Sequence, residues 1–102
     1  MKINRIDDDT ARTAVARSIL ESLPDWFGIP EATEEYIADS KNRPFFCAYD
    51  GEKPIGFLYL KETGRHTVEL AVMGVRKEYH RQGIGRKLFE EAREEARRMG
   101  RE

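Results

Sequence analysis

A chain of 102 residues with a formal net charge of −1 and one cysteine has room for a single small domain with a limited core, and Cys47 alone can form neither an intrachain disulfide nor a cysteine zinc cluster. Apolar residues at 39% and charged residues at 36% describe a globular domain with a heavily charged surface and no general attraction to nucleic acid or anionic membranes. No apolar run reaches membrane-spanning length and Met1–Arg5 opens no signal peptide, so the expected location is the cytoplasm and no metal is expected.

Lys2 to Ile6 reads as a first strand, β1, with Ile3 and Ile6 inward. Asp7, Asp8, Asp9 and Thr10 cap a helix and suit its dipole. Ala11, Val15, Ile19 and Leu23 then recur every four residues, with Ala14 and Leu20 widening the stripe, which predicts an amphipathic helix, α1. It should stop before Pro24. The loop Pro24–Pro30 carries Trp26 and Phe27, which either close the core between helices or contact a substrate. A second helix, α2, is expected from Pro30 through Tyr36 to Asp39.

Phe45–Tyr49 reads as strand β2, Asp50-Gly51 as a hairpin turn, and Pro54–Glu62 as the return strand β3. Ile55, Phe57 and Tyr59 fall on one face and Leu58 and Leu60 on the other, so the sheet should be covered on both sides. Thr67–Val75 is the next strand, β4. Simple alternation puts Val68, Leu70 and Val72 on one face and Glu69, Ala71, Met73 and Val75 on the other. Glu69 is then the polar exception: a strand-end residue reaching solvent, or a functional group in a cleft. Ile84, Leu88, Ala92, Ala96 and Met99, with Phe89 alongside, mark a last helix, α3, whose opposite face is charged. The expected fold class is α/β of the α+β type, ordered β1-α1-α2-β2-β3-β4-α3, with a mostly antiparallel sheet between helices.

The most informative stretch joins β4 to α3. Gly83 and Gly85 permit a tight turn and close approach to the main chain, and the helix start offers unpaired N–H groups at the positive end of a macrodipole. This is an anion site suited to the phosphates of a nucleotide-like cofactor. Arg86 and Lys87 in the first helical turn oppose that dipole, a cost that a bound polyanion reverses. The stretch is not a Walker loop, which needs Gly-Lys followed by Ser or Thr. It is not a Rossmann fingerprint either, because Leu88 stands where the third glycine belongs.

From Val75 to Leu88 the sequence resembles the acyl-CoA-binding motif of the GNAT superfamily of N-acetyltransferases: Arg or Gln, two residues, Gly, one residue, then Gly or Ala, after an apolar strand end. His80 stands at the Arg/Gln position, and Gly83 and Gly85 match. The element order is similar to the family over the whole chain. The resemblance implies a GNAT-like acyl-CoA N-acyltransferase fold and direct transfer of an acetyl group from acetyl-CoA to a primary amine of a small molecule or peptide. It implies cofactor contacts at Met73, Gly74, Val75, His80, Arg81, Gln82, Gly83, Ile84, Gly85, Arg86 and Lys87. The main chain of Met73 and Val75 would pair with the pantetheine arm, and the loop amides would hold the pyrophosphate. An N–H of the strand would also stabilise the oxyanion.

Glu69, six residues before Val75, stands where several family members carry a carboxylate general base, a role for which its pKa would need raising. A strand carboxylate without chemistry stays open as the other reading. Trp26, Phe27 and Tyr36 would border the acceptor. Family members continue past the third helix with further strands and a helix, and with a tyrosine that can protonate the leaving thiolate. The chain is therefore expected to be the N-terminal portion of that fold, as a fragment or as a truncated form completed by a partner chain. The edge beside Thr67–Val75 would then be a template for self-association.

Three rival readings remain. A Cys47/His66 nucleophilic pair competes with Cys47 as a buried structural thiol. A nucleic-acid patch at Arg76, Lys77, Arg81, Arg86 and Lys87 is disfavoured by the net charge and the acids interleaved along the last helix. A non-catalytic CoA-binding module keeps the phosphate site and loses the chemistry.

Overall fold

In the segments 45–49 and 55–60 both faces of the chain are apolar, and a backbone buried on both faces satisfies its polar groups by strand pairing. The computed structural model describes residues 1–98 and 100. In it residues 45–75 form a meander of β2 (Phe45–Asp50), β3 (Lys53–Glu62) and β4 (Val68–Val75), with β1 (Lys2–Ile6) added outside β2. The result is a four-stranded sheet, antiparallel as expected, in the order β1-β2-β3-β4. Met99, expected at the end of the last apolar stripe, lies outside the described residues, as do Arg101 and Glu102.

Helices α1 (Asp9–Glu21) and α2 (Pro30–Asp39) cover one face, and α3 (Ile84–Arg98) covers the other. On the first face Val15, Ile19, Leu20 and Ile37 pack on Phe45, Phe57, Tyr59 and Val72. Phe45 stacks on Phe57 and Tyr59, with ring centroids 5.3 and 6.1 Å apart. On the other face Ile84, Leu88 and Ala92 pack on Phe46, Leu58 and Leu60.

Helix α1 begins as its acids suggest, the Asp8 carboxylate accepting from the Ala11 N–H at 2.8 Å. Its buried stripe differs from the four-residue repeat. Ala16 and Arg12 are buried and Ala14 is exposed, because on a 3.6-residue period the repeat drifts around the helix and sweeps those two positions inward. Arg12 is tolerated there because its guanidinium donates to the Ile6 carbonyl at 3.0 Å and to Asp9 at 2.7 Å.

Two β-bulges correct the expected facing of side chains. Tyr49 pairs with Pro54 and Ala48 with Gly56, so Ile55 is an extra residue and packs on the α3 side, not beside Phe57 and Tyr59. Tyr59 pairs with Val72 and Leu60 with Leu70, so Ala71 is an extra residue in β4. An unpaired residue reverses the alternation beyond it. Glu69 therefore shares a face with Val72 and Gly74, on the α1/α2 side. Val68 and Leu70 share the α3 side with Met73 and Val75. The carboxylate has changed sides relative to plain alternation.

Candidate active site

The second bulge sits midway along the edge strand, and the ladder geometry beyond it determines what that edge offers. The Arg76 N–H donates to the Ile55 carbonyl at 2.8 Å. Residues alternate between facing the partner strand and facing away in an antiparallel pair, so Gly74 and Arg76 turn their main chain to β3. Met73 and Val75 turn theirs outward. The outward Val75 carbonyl is bonded to His80 Nε2 at 2.6 Å. A carbonyl can only accept, so Nε2 carries the proton. The His80 ring also meets Trp26 edge-on, with centroids 5.3 Å apart. Met73 keeps both of its outward groups, whereas Val75 keeps its N–H.

Beyond the strand the chain makes one 3₁₀ turn, Lys77–Tyr79, anchored at both ends. Arg76 donates to the Pro54 carbonyl at 2.8 Å and to Ser18 Oγ at 2.5 Å. The Tyr79 hydroxyl donates to Asp50 at 2.7 Å. The loop then takes left-handed backbone angles at Arg81 (φ 65°) and Gly83 (φ 74°), a region that favours glycine. The first helical bond of α3 runs from the Lys87 N–H to the Gly83 carbonyl at 3.1 Å, so the N–H groups of Ile84, Gly85 and Arg86 have no helical acceptor.

The loop's two glycines do different work. A Cβ added at Gly83 would meet nothing within 4 Å, while one at Gly85 would meet the Met73 Sδ at 3.3 Å. Gly83 supplies the backbone angle on an open surface, and Gly85 lets the helix start lie close against β4. Arg81, Gln82, Arg86 and Lys87 are exposed around this turn. Gly74 is buried, and its missing Cβ leaves room for Phe57 and Ile19, which would stand 3.2 and 3.3 Å away from one.

Two cavities flank β4 on the α1/α2 side. One of about 420 Å³ is lined by Leu23, Trp26, Phe27, Met73, Gly74, Val75 and His80. It brings the loop aromatics Trp26 and Phe27 beside Met73 and Val75 of the strand. Phe27 packs against the core while Trp26 is 55% exposed. Tyr36 meets Phe27 edge-on at 5.9 Å but lines the other cavity, of about 260 Å³, with Asp39, Arg43, Tyr59, Lys61 and Glu69. Asp39, Arg43 and Lys61 went unnoticed in the sequence. Only the bulge at Ala71 turns Glu69 toward them, and no local motif announces it.

The rival chemistry is separated in space. Cys47 is enclosed in the α1/α2-side core, and burial pushes its thiol up to about 12. His66 lies in the exposed turn between β3 and β4. Among the described residues no group of three His, Cys, Asp or Glu side chains could hold a metal ion, and no helix is long and apolar enough to cross a membrane.

An outward strand end, a left-handed glycine turn and an exposed helix start thus adjoin one another. Comparison with known proteins identifies the family. The acetyltransferase (GNAT) family model matches residues 13–102, and the chain belongs to that family. An aminoglycoside 6'-N-acetyltransferase complexed with coenzyme A is 20% identical, with a TM-score of 0.76 over 98% of this chain and 57% of its own. A putative N-acetyltransferase from Lactobacillus plantarum is 24% identical, with a TM-score of 0.80 over 97% of this chain and 68% of its own. The PaiA N-acetyltransferase of Thermoplasma acidophilum, in complex with coenzyme A, is 21% identical, with a TM-score of 0.71 over 98% and 75%. At these identities the likeness shows the fold, and the chain spans 57–75% of the length of these three proteins. No protein of curated function matches it in sequence.

Proposed function

We propose that this chain binds acetyl-CoA along the outer edge of β4 and assists transfer of the acetyl group to a primary amine. The observation that carries the reading is the continuity between the outward main chain of Met73 and Val75 and the open turn at Gly83. A pantetheine arm, itself an amide chain, can pair with the strand edge as another strand would. The N–H groups of Ile84, Gly85 and Arg86 face the place where its phosphates would end, with Arg81, Arg86 and Lys87 adding positive charge. The open space around Gly83 fits such a ligand.

When bound, acetyl-CoA supplies an activated thioester; the remaining roles fall to the protein. The N–H of Met73 or Val75 stabilises negative charge developing on the acyl oxygen. Glu69, on the same face as Val72 and Gly74, takes the proton that the attacking ammonium must lose, directly or through water. His80 holds the turn against the strand through the Val75 carbonyl. Trp26 and Phe27 wall the reacting end, and the buried lone thiol suits the cytoplasmic setting that goes with this reading.

The test is calorimetric titration with acetyl-CoA followed by thiol release with a panel of amines. The expected result is saturable binding and amine-dependent release. Glu69→Gln should keep binding and lower turnover about 10²-fold or more. No binding would end the proposal. The exposure of Glu69 favours one alternative, a CoA-binding module without catalysis, and binding with no thiol release from any amine would select it.

A further inference from the structure

The smaller cavity beside β4 has a wall of unusual composition. Its 260 Å³ fall below the roughly 300–1,000 Å³ of sites for drug-sized ligands, yet two carboxylates and two cations line it. Lys61 and Glu69 are cross-strand partners, which places their Cβ atoms about 4.5–5.5 Å apart. Asp39 and Arg43 stand one turn apart at the end of α2, where Arg43 Nε donates to the Asp39 carbonyl at 3.2 Å. Tyr59 lines the same cavity, its hydroxyl donating to the Tyr36 carbonyl at 2.7 Å. Burial first, then Asp39, push that phenol up to about 12, with Arg43 opposing. Among the described residues no ion pair within 4.0 Å joins any two of these four charged groups, so all four remain available to a ligand.

We propose that the acceptor bound in this cavity is a small zwitterion, an amine that carries its own carboxylate, of the free amino-acid class. The inference rests on Glu69 being the group that meets the acceptor amine. Glu69 and Asp39 face the ammonium, and Arg43 and Lys61 face the carboxylate. A purely cationic amine would be set against both cations, and a purely anionic ligand against both carboxylates. A ligand with both charges meets a partner for each. Arg43 and Lys61 are thus specificity-determining residues, not catalytic ones.

The test measures equilibrium binding to the whole chain by calorimetry or ligand-observed NMR, with and without saturating acetyl-CoA. The probes are leucine against isoamylamine and phenylalanine against phenethylamine, pairs that differ by the carboxylate. Each amino acid should bind at least about tenfold tighter than its amine, the size of one charge-assisted hydrogen bond. Arg43→Met and Lys61→Met, with folding checked by circular dichroism, should erase that preference by weakening the amino acid, while the amine binds as tightly as before or tighter because a repelling cation is gone. Equal affinities, no binding of any probe, or equal loss of amino acid and amine in the variants would overturn the proposal. The two readings fail separately. A chain that takes up acetyl-CoA without preferring the zwitterion loses this inference alone. A chain that prefers the zwitterion yet ignores acetyl-CoA keeps the pocket and loses the transferase.

Discussion

Asp9 shows how much one side chain can join. Its carboxylate accepts from the Asn42 N–H at 2.9 Å and from Arg12 at 2.7 Å, tying the start of α1 to the turn after α2 and to the buried guanidinium that also holds the end of β1. The Asn42 N–H first, and then Arg12, keep the carboxyl below its usual 3.8. A group with a depressed folded-state pKa contributes stability above its unfolded value and loses it as pH falls through the folded one. Asp9→Asn should therefore lower stability at neutral pH, with the gap to the parent chain closing below the ordinary carboxylate range. Thermal melts across that range check it, and a gap independent of pH would reject it. The acid run was legible as a helix start, but its division of labour was not. Asp8 caps the helix while Asp9 reaches 33 residues along the chain to Asn42, and no local pattern encodes a contact of that length.

Among the elements, the glycines test which parts of the strand–turn–helix serve packing and which serve the ligand. Gly74→Ala would push a methyl against Phe57 and Ile19, at 3.2 and 3.3 Å, in a filled core, and overpacking of that kind costs about 1–3 kcal/mol. Gly83→Ala meets no neighbour but must hold φ 74°, a cost of about 1–2 kcal/mol, on the surface proposed to meet phosphates. Denaturant unfolding should thus show Gly74→Ala destabilised at least as much as Gly83→Ala, whereas acetyl-CoA affinity should fall more in Gly83→Ala. The reverse ordering of affinities would count against the phosphate cradle. Element order, the hairpin at Asp50-Gly51 and the glycine turn were all readable, because period, turn chemistry and glycine spacing are local signals. The bulges at Ile55 and Ala71 were not. A bulge arises where two strands are brought into register by what packs on each face, and a strand read alone carries only its alternation. That is why plain alternation puts Glu69 on the wrong face.

For the molecule as a whole, the decisive feature is that β4 is an edge strand with Met73 and Val75 turned outward and large apolar side chains beside it. Leu70, Met73 and Phe89 are 39%, 38% and 43% exposed, and a cavity of about 470 Å³ opens between β4 and α3, lined in part by Leu60, Val68, Leu70, Phe89 and Ala92. An exposed edge with an apolar flank is a template for pairing with another strand, and the pantetheine arm is proposed to use the same main-chain groups. The two uses exclude each other. We expect the chain to associate with itself as concentration rises, and saturating CoA to reverse that association. Leu70→Lys, which places a charge on the flank of the edge without touching the glycine turn, should also favour the monomer. Light scattering across a concentration series, with and without CoA, decides it. A monomer mass throughout would remove the edge as an association surface, while association that ignores saturating CoA would place the contact elsewhere.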